Sequence, residues 1–290
     1  MKFKGEISSI KITTLFENKA GKENKVLGQH GISFFIEMTV NNEKHYLIFD
    51  TGQKSDTLLK NAELLDVNLK NSEMIFLSHC HYDHTGGLVG LLEFLNQDIV
   101  VTAHPEVFKE AYKEKDGKLY YVGIPDKDPE EKIVKNKGKL DFLKEPLEIM
   151  PGVMTTGEIH QKAVFPTKRV YKTSEGNYVE DTMKDDVSLM FNIKDKGILV
   201  ITGCSHSGII EIVEQSMNLA EGKNLYGIIG GFHLLNKKED EVKDISKKLT
   251  KFNPKKLITG HCTGFDAMCI LKQDFKEKFE DLYVGKIIEV

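Results

Sequence analysis

Four short apolar runs in this chain each end in a turn that carries histidine. Met74-Ile75-Phe76-Leu77 runs into Ser78-His79-Cys80-His81-Tyr82-Asp83-His84-Thr85-Gly86-Gly87. Val200-Ile201-Thr202-Gly203 runs into Cys204-Ser205-His206-Ser207-Gly208, Ile228-Ile229-Gly230-Gly231 into Phe232-His233, and Leu257-Ile258-Thr259-Gly260 into His261-Cys262-Thr263-Gly264. A short apolar run bounded by turn residues reads as a buried strand. Open α/β sheets place their chemistry at the C-terminal ends of strands. Glycines there let the backbone approach a bound group closely. One such strand end is weak evidence for a site, but four in one chain point to an α/β fold with a shared centre.

The first cluster is the densest. His79 and His81 are two apart, so an extended backbone points both imidazoles the same way. Asp83 and His84 fall in the following turn and can face a second point nearby. Gly86-Gly87-Leu88-Val89-Gly90-Leu91-Leu92 reads as the start of a helix. Ligand-type side chains this close together suit one metal ion, and better two. The bland alternative, a polar loop rich in histidine, requires strand, cluster and helix to coincide by chance. For His206, His233 and His261 the alternative is a satisfied structural histidine, and it stays open most for His233.

The rest of the chain sets bounds. A length of 290 residues fits one large domain or two modest ones, and 40% hydrophobic content allows a sizeable core. A net charge of −4 argues against a nucleic-acid binder, which would show a basic face. No apolar run reaches membrane-spanning length. Met1-Lys2-Phe3-Lys4-Gly5 lacks the apolar core of a signal peptide, so the cytoplasm is the expected address. The four cysteines, Cys80, Cys204, Cys262 and Cys269, form no Cys-x-x-Cys pair, and a disulfide framework is not expected. Cys80 and Cys262 are read as small residues packed under a site.

Along the chain, Ile7 to Leu15 begins a strand. Residues 31–38 and 45–49 form two more, joined through Asn41-Asn42, which tolerates a tight turn. Ser55 to Leu65 is helical, with Ser55 as N-cap. Residues 88–95 form a helix and 98–102 a strand. His104-Pro105 starts another helix, with His104 near the surface. Residues 109–146 are lysine-rich and weakly periodic, and are read as an insertion over one face of a single domain. It is either a solvated excursion or a lid whose lysines and Tyr120-Tyr121 meet an anionic substrate. Strands flank the Pro151-Gly152 turn, residues 163–178 are irregular, and a hairpin covers 187–193 and 197–201. The last third alternates strand and helix.

His79-x-His81-x-Asp83-His84 followed by Thr85-Gly86-Gly87 resembles the signature of the metallo-β-lactamase superfamily. The resemblance implies a four-layer αββα sandwich with a dinuclear metal site, usually hydrolytic. It implies that Asp50, in Asp50-Thr51-Gly52 at a strand end, orients a metal ligand from behind; an Asx-turn is the alternative. It makes His261 the final ligand. Where the superfamily usually has a bridging aspartate this chain has Cys204, either a sulfur ligand or a packed neighbour, with His206 two residues on supplying the missing ligand. The packed role is the reading preferred. His79, His81 and His206 are then expected to hold one metal. Asp83, His84 and His261 are expected to hold the other, with Asp83 also essential to catalysis.

Gln29-His30-Gly31-Ile32-Ser33, the Thr-Gly-Cys-Ser-His-Ser-Gly turn, Gly-Gly-Phe-His-Leu and Thr-Gly-His-Cys-Thr-Gly narrow the resemblance. They are similar to the branch typified by a dihydropterin-methyl–ribofuranosylaminobenzene phosphate synthase. That branch joins a dihydropterin-methyl diphosphate to an aromatic ribosyl phosphate and releases diphosphate. The expectation is therefore a metal-dependent enzyme with two divalent ions, zinc first and manganese or iron as alternatives. Its substrate is a small anionic, phosphorylated molecule, and the step is hydrolysis or alkyl transfer. His233 is expected to contact that substrate. The rival is a metal-binding sensor or interaction protein on the same fold.

Overall fold

The computed structural model describes residues 2–22, 25–160 and 169–290. The chain opens with β1 (Ile7–Phe16) and the hairpin β2 (Ser33–Val40) and β3 (Glu43–Phe49). Asn41 and Asn42 close that hairpin at φ 51° and 68°, a turn whose twist matches the strands it joins. Next come α1 (Ser55–Leu64), β4 (Met74–Phe76), the single turn α2 (Tyr82–Thr85), α3 (Leu88–Leu95) and β5 (Ile99–Ala103). The middle holds β6 (Glu110–Lys115), β7 (Lys118–Tyr121), α4 (Pro129–Lys135), β8 (Gly138–Phe142), β9 (Glu148–Met150), β10 (Val153–Thr155), β11 (Arg169–Lys172) and β12 (Tyr178–Glu180). The last part is β13 (Leu189–Ile193), β14 (Gly197–Thr202), α5 (Ile209–Leu219), β15 (Leu225–Gly231), α6 (Glu239–Lys251), β16 (Lys256–Gly260), α7 (Phe265–Phe275), β17 (Phe279–Asp281) and β18 (Ile287–Glu289).

The principal strands run in the order β17-β16-β15-β14-β13-β1-β2-β3-β4-β5-β8. Between β13 and β1 the ladder narrows to one register pair, Ile7 with Ile193, and there the sheet folds on itself. Side-chain alternation then makes three apolar layers. Phe34 and Ile36 of β2, Phe49 of β3, Phe191 of β13, Ile201 of β14 and Ile258 of β16 meet between the two halves. On one outer face Phe35, Ile48 and Ile75 pack under α1 and α3. On the other, Val200, Ile228 and Leu257 pack under α5, α6 and α7. This is the expected αββα sandwich. No helix among the described residues is long and apolar enough to cross a membrane.

Several local expectations change. Lys54, not Ser55, is the cap residue of α1, and no side chain caps it. The reason lies in packing: a Cβ on Gly90 would come within 2.2 Å of Ser55 Oγ, so Ser55 is turned against α3. His104 is buried, not superficial, because its ring accepts from Glu106 N and meets Glu158 Oε1 at 3.0 Å. The lysine-rich stretch divides in two. Residues 129–142 form α4 and β8, and β8 completes the edge of the principal sheet beside β5. The preceding part contributes β6 and β7 to a separate four-stranded sheet, order β12-β11-β6-β7. Of the stretch read as irregular, 163–168 lies outside the described residues, while β11 and β12 are strands. β12 is exposed throughout and β11 is four residues long with only Arg169 and Val170 buried, so neither carries a readable apolar pattern, and β11 is set by its long-range pairing of Arg169 with Lys113.

Candidate metal centre

All four histidine-bearing turns reach one place. His79 and His81 leave β4, His206 leaves β14, His233 leaves β15 and His261 follows β16. The ring nitrogens of His79, His81 and His206 form one compact group, and Asp83, His84, Cys204 and His261 form another beside it. The rings of His79 and His84, one from each group, have centroids 4.1 Å apart. The two trios expected from the sequence are thus brought together as two donor groups, with Cys204 added to the second.

Hydrogen bonds orient the donors. Asp50, fully buried, accepts from Ser78 N at 2.7 Å and from Ser78 Oγ at 2.7 Å. Its Oδ2 also takes the Nδ1 proton of His84 at 2.6 Å. Ser78 Oγ has spent its proton on Asp50, so at 2.9 Å it must accept from His79 Nδ1. His261 Nδ1 donates to Asn18 Oδ1 at 2.9 Å. With Nδ1 engaged in all three rings, Nε2 of each is the nitrogen turned toward the centre. His81 is reversed: its Nδ1 lies 3.1 Å from His79 Nε2 and 3.0 Å from His206 Nε2.

The first group could hold a cation. Burial, the largest influence, pushes His81 down to about 3 and holds His79 and His206 well below the usual imidazole range. Three neutral rings aiming lone pairs at one point repel unless a cation sits among them. The second group is different in charge. Burial opposes ionisation of Asp83, yet His84 and His261 hold its carboxyl well below the usual range. Burial likewise opposes a charged His84, but Asp83 and Asp50 outweigh it and raise its pKa to about 10. Cys204 Sγ stands 3.2 Å from both His84 Nε2 and His261 Nε2, facing the donor atoms. Neutral imidazoles, carboxylate and thiol suit zinc, iron or manganese.

His233 lies at the edge of the first group, its ring 4.3 Å from that of His206. Its Nε2 accepts from the Arg169 guanidinium at 2.8 Å, and its ring forms a further donor group with the Cys204 and Cys262 sulfurs. Cys262 is buried beneath the site, its Sγ donating to Cys204 O at 3.5 Å. His30, half exposed, reaches Asp83 Oδ2 with Nε2 at 3.2 Å. His160 is exposed and turned to α5, away from this cluster. Asp50, Ser205, His233 and His261 all sit in the left-handed region, at φ 54°, 58°, 49° and 50°. Residues other than glycine hold such backbone only where surrounding contacts impose it, and such positions gather at functional sites.

Sequence reasoning missed the supports. Asp185 accepts from Cys80 N at 2.7 Å, and Asp186 from Ser207 N at 2.6 Å. Buried Lys109 bridges Asp185 and Asp181, at 2.5 and 2.7 Å. The only signal was an Asp-Asp pair directly before a buried strand. Arg169 carried none.

The metallo-beta-lactamase superfamily profile matches residues 31–171. The chain is 39% identical over 290 residues to the 7,8-dihydropterin-6-methyl-4-(beta-D-ribofuranosyl)-aminobenzene-5'-phosphate synthase of Methanocaldococcus jannaschii, covering 98% of each chain. It is 36% identical over 282 residues to an uncharacterized protein of the same organism, covering 96% of this chain and all of that one. It superposes on a metal-dependent hydrolase of the beta-lactamase superfamily with a TM-score of 0.79 and 27% identity, covering 97% of this chain and 99% of that one. Yeast PDE1, at 14% identity and a TM-score of 0.53, shares the fold. Two donor groups at the strand ends of an αββα sandwich, together with full-length similarity to the synthase, show that the chain belongs to the metallo-β-lactamase superfamily, whose members bind divalent metals.

Proposed function

We propose that this protein is a metal-dependent enzyme that transfers an alkyl group between small phosphorylated molecules through a dinuclear centre. The observation that carries this reading is the pair of adjoining donor groups, His79/His81/His206 and Asp83/His84/Cys204/His261. The name of the similar synthase, whose product is a phosphate compound built from a pterin and an aminobenzene, supports the substrate class and the transfer. A divalent cation, when bound, supplies stabilisation of the negative charge that gathers on departing phosphate oxygens.

The chain's own residues do the rest. Asp50 and Asn18 fix the tautomers of His84 and His261. Asp83 stays ionised, and His30 connects its Oδ2 with solvent, giving a proton a route out of a buried centre. A cleft of about 400 Å³ opens beside the turns that carry His233 and His261, walled by Leu234, Leu235, Thr263 and Phe265. Leu234, Leu235 and Phe265 offer apolar contact for the flat organic part of such a substrate, beside the polar Asn236, Lys237 and Asp266. Hydrolysis is the second reading, favoured by the similar structure described as a metal-dependent hydrolase.

The test has two arms. Protein reloaded with Zn²⁺, Mn²⁺ or Fe²⁺ should take up two equivalents. It should then release diphosphate from a dihydropterin-methyl diphosphate only when an arylamine is present. Release without the amine, or turnover of phosphoesters and lactones alone, selects hydrolysis. Uptake of a single equivalent removes the dinuclear reading, and full uptake without any turnover leaves the sensor.

A further inference from the structure

We propose that the cleft between the start of α7 and the turn after His233 is the seat of a pterin ring, with Phe265 against the ring face and Asp266 at its amino edge; this rests on the function proposed above and names the residues that read one of the two partners.

The cleft is built on the turns that carry the histidines. Leu234 in its wall follows His233 directly, and Thr263 lies just beyond His261 and Cys262. Phe232 N donates to Thr263 Oγ1 at 3.0 Å, and Leu235 N donates to Cys262 O at 3.1 Å. The turn after β15 is therefore bonded to the turn after β16 on both sides of His233. Gly264 permits this closeness. Its φ is 82°, and a Cβ there would come within 2.9 Å of Leu235 Cδ1, so a larger residue would push Leu235 off the start of α7. A molecule in the cleft is thereby registered against the donor groups.

The walls are apolar where water reaches them. Phe265 on α7 is 74% exposed, and Leu235 on the other wall is 60% exposed. A lone exposed apolar residue is ordinary. Two that line one cleft of about 400 Å³, beside a cluster of metal-ligating side chains, offer a flat ring an apolar place to lie.

The polar lining selects which ring. Asp266 follows Phe265, and Asn236 follows Leu235. Neither side chain makes a hydrogen bond with another described residue. The 2-amino-4-oxopyrimidine edge of a pterin presents two adjacent N–H donors, which match the two oxygens of one carboxylate. An aminobenzene ring has only its amine. Charge agrees: Asp266 and Glu239 outnumber Lys237 in the lining, which disfavours the ribosyl phosphate carried by the aminobenzene partner. The carbon that reacts in a dihydropterin-methyl diphosphate is at the opposite end of the ring from the amino edge. An edge held at Asp266 leaves that carbon for the donor groups.

The cleft contains its own reporter. Cys269 lines it, one helical turn beyond Phe265, and is exposed, whereas Cys80, Cys204 and Cys262 are buried. The test is alkylation of Cys269 by iodoacetamide, located by peptide mass spectrometry, in metal-loaded and metal-free protein. The probes are 6-hydroxymethylpterin and 4-aminobenzoate. The pterin should slow alkylation saturably, and 4-aminobenzoate at the same concentration should not. Phe265→Ala should raise the pterin concentration for half-protection about fivefold or more. Asp266→Asn should raise it about tenfold. Phe265→Trp should keep protection, and as the chain has no native tryptophan, pterin should quench the new emission. Half-protection unchanged in both Phe265→Ala and Asp266→Asn overturns the seat. Protection by 4-aminobenzoate alone also overturns it and gives the cleft to the other partner. Native protein that binds two metals and turns over while pterin leaves Cys269 unprotected overturns the seat and leaves the proposed function standing. Protection that depends on Phe265 and Asp266, in protein that takes one metal or turns nothing over, upholds the seat and removes that function.

Discussion

Asp185 and Asp186 are neighbours in sequence, yet each holds a different loop of the centre. Asp185 Oδ2 accepts from Cys80 N at 2.7 Å, and Asp186 Oδ2 from Ser207 N at 2.6 Å. One dipeptide ahead of β13 thereby fixes the spacing between His79 and His81 on one loop and His206 on the other. Asp185 is also paired with buried Lys109. Asp185→Ala should cost about 3 kcal/mol, because it leaves a buried charge with half its compensation. Asp186→Ala removes the tie to Ser207 N, and should cost roughly 1–2 kcal/mol. Denaturant midpoints give both values. Competition with a chelator should show weaker metal binding in each variant, even though neither side chain faces the donor atoms. Native metal affinity in both would mean that the loops hold their places unaided.

Cys204 is the second case. The sequence favoured a packed neighbour, whereas its Sγ lies 3.2 Å from Nε2 of both His84 and His261. We expect a metal–sulfur bond there. Cobalt-loaded protein should show a sulfur-to-cobalt charge-transfer band that Cys204→Ser abolishes and Cys262→Ser retains. The serine variant should also lose affinity for one equivalent of metal. A band that survives Cys204→Ser and vanishes in Cys262→Ser would move the sulfur ligand to the other thiol.

Acidity supplies the third. In the metal-free protein the pKa of His84 is about 10, against about 6.5 in an unfolded chain. Its charged form therefore stabilises the metal-free fold fully below about pH 6.5, and that contribution is lost as pH rises through about 10. Metal needs the same Nε2 deprotonated, so its affinity climbs across that window. Between pH 7 and 9 the melting temperature of the metal-free protein should fall, and the gap to the loaded protein should widen. Proton release on metal addition, followed with buffers of different ionisation enthalpy, should exceed zero at pH 7 and shrink in His84→Asn. A gap that stays constant with pH would show that His84 does not gate loading.

The parts legible in sequence were those that short-range pattern encodes. Apolar runs such as Ile198 to Ile201 alternate between two cores, and the glycine turns after them put His206, His233 and His261 at strand ends. The supports were hidden because their partners are remote: Lys109 finds Asp181 and Asp185, and Arg169 finds His233. Strand β8 was hidden for a different reason. It is an edge, its Lys139, Asp141 and Phe142 are not buried, and an edge strand needs no apolar run. The pairing of Arg169 with Lys113 is likewise a tertiary fact that no local propensity announces.

The four left-handed residues, Asp50, Ser205, His233 and His261, bear on how this chain can change over generations. Glycine relaxes such backbone at no steric cost, so glycine at any of them relieves a local penalty of about 1 kcal/mol or more while erasing a chemical group. Selection for mere persistence would thus erode the centre at these positions, and selection for turnover must keep opposing it. A descendant that retained the sandwich and dropped the reaction would carry its record in glycines at these turns, with the three apolar layers unchanged.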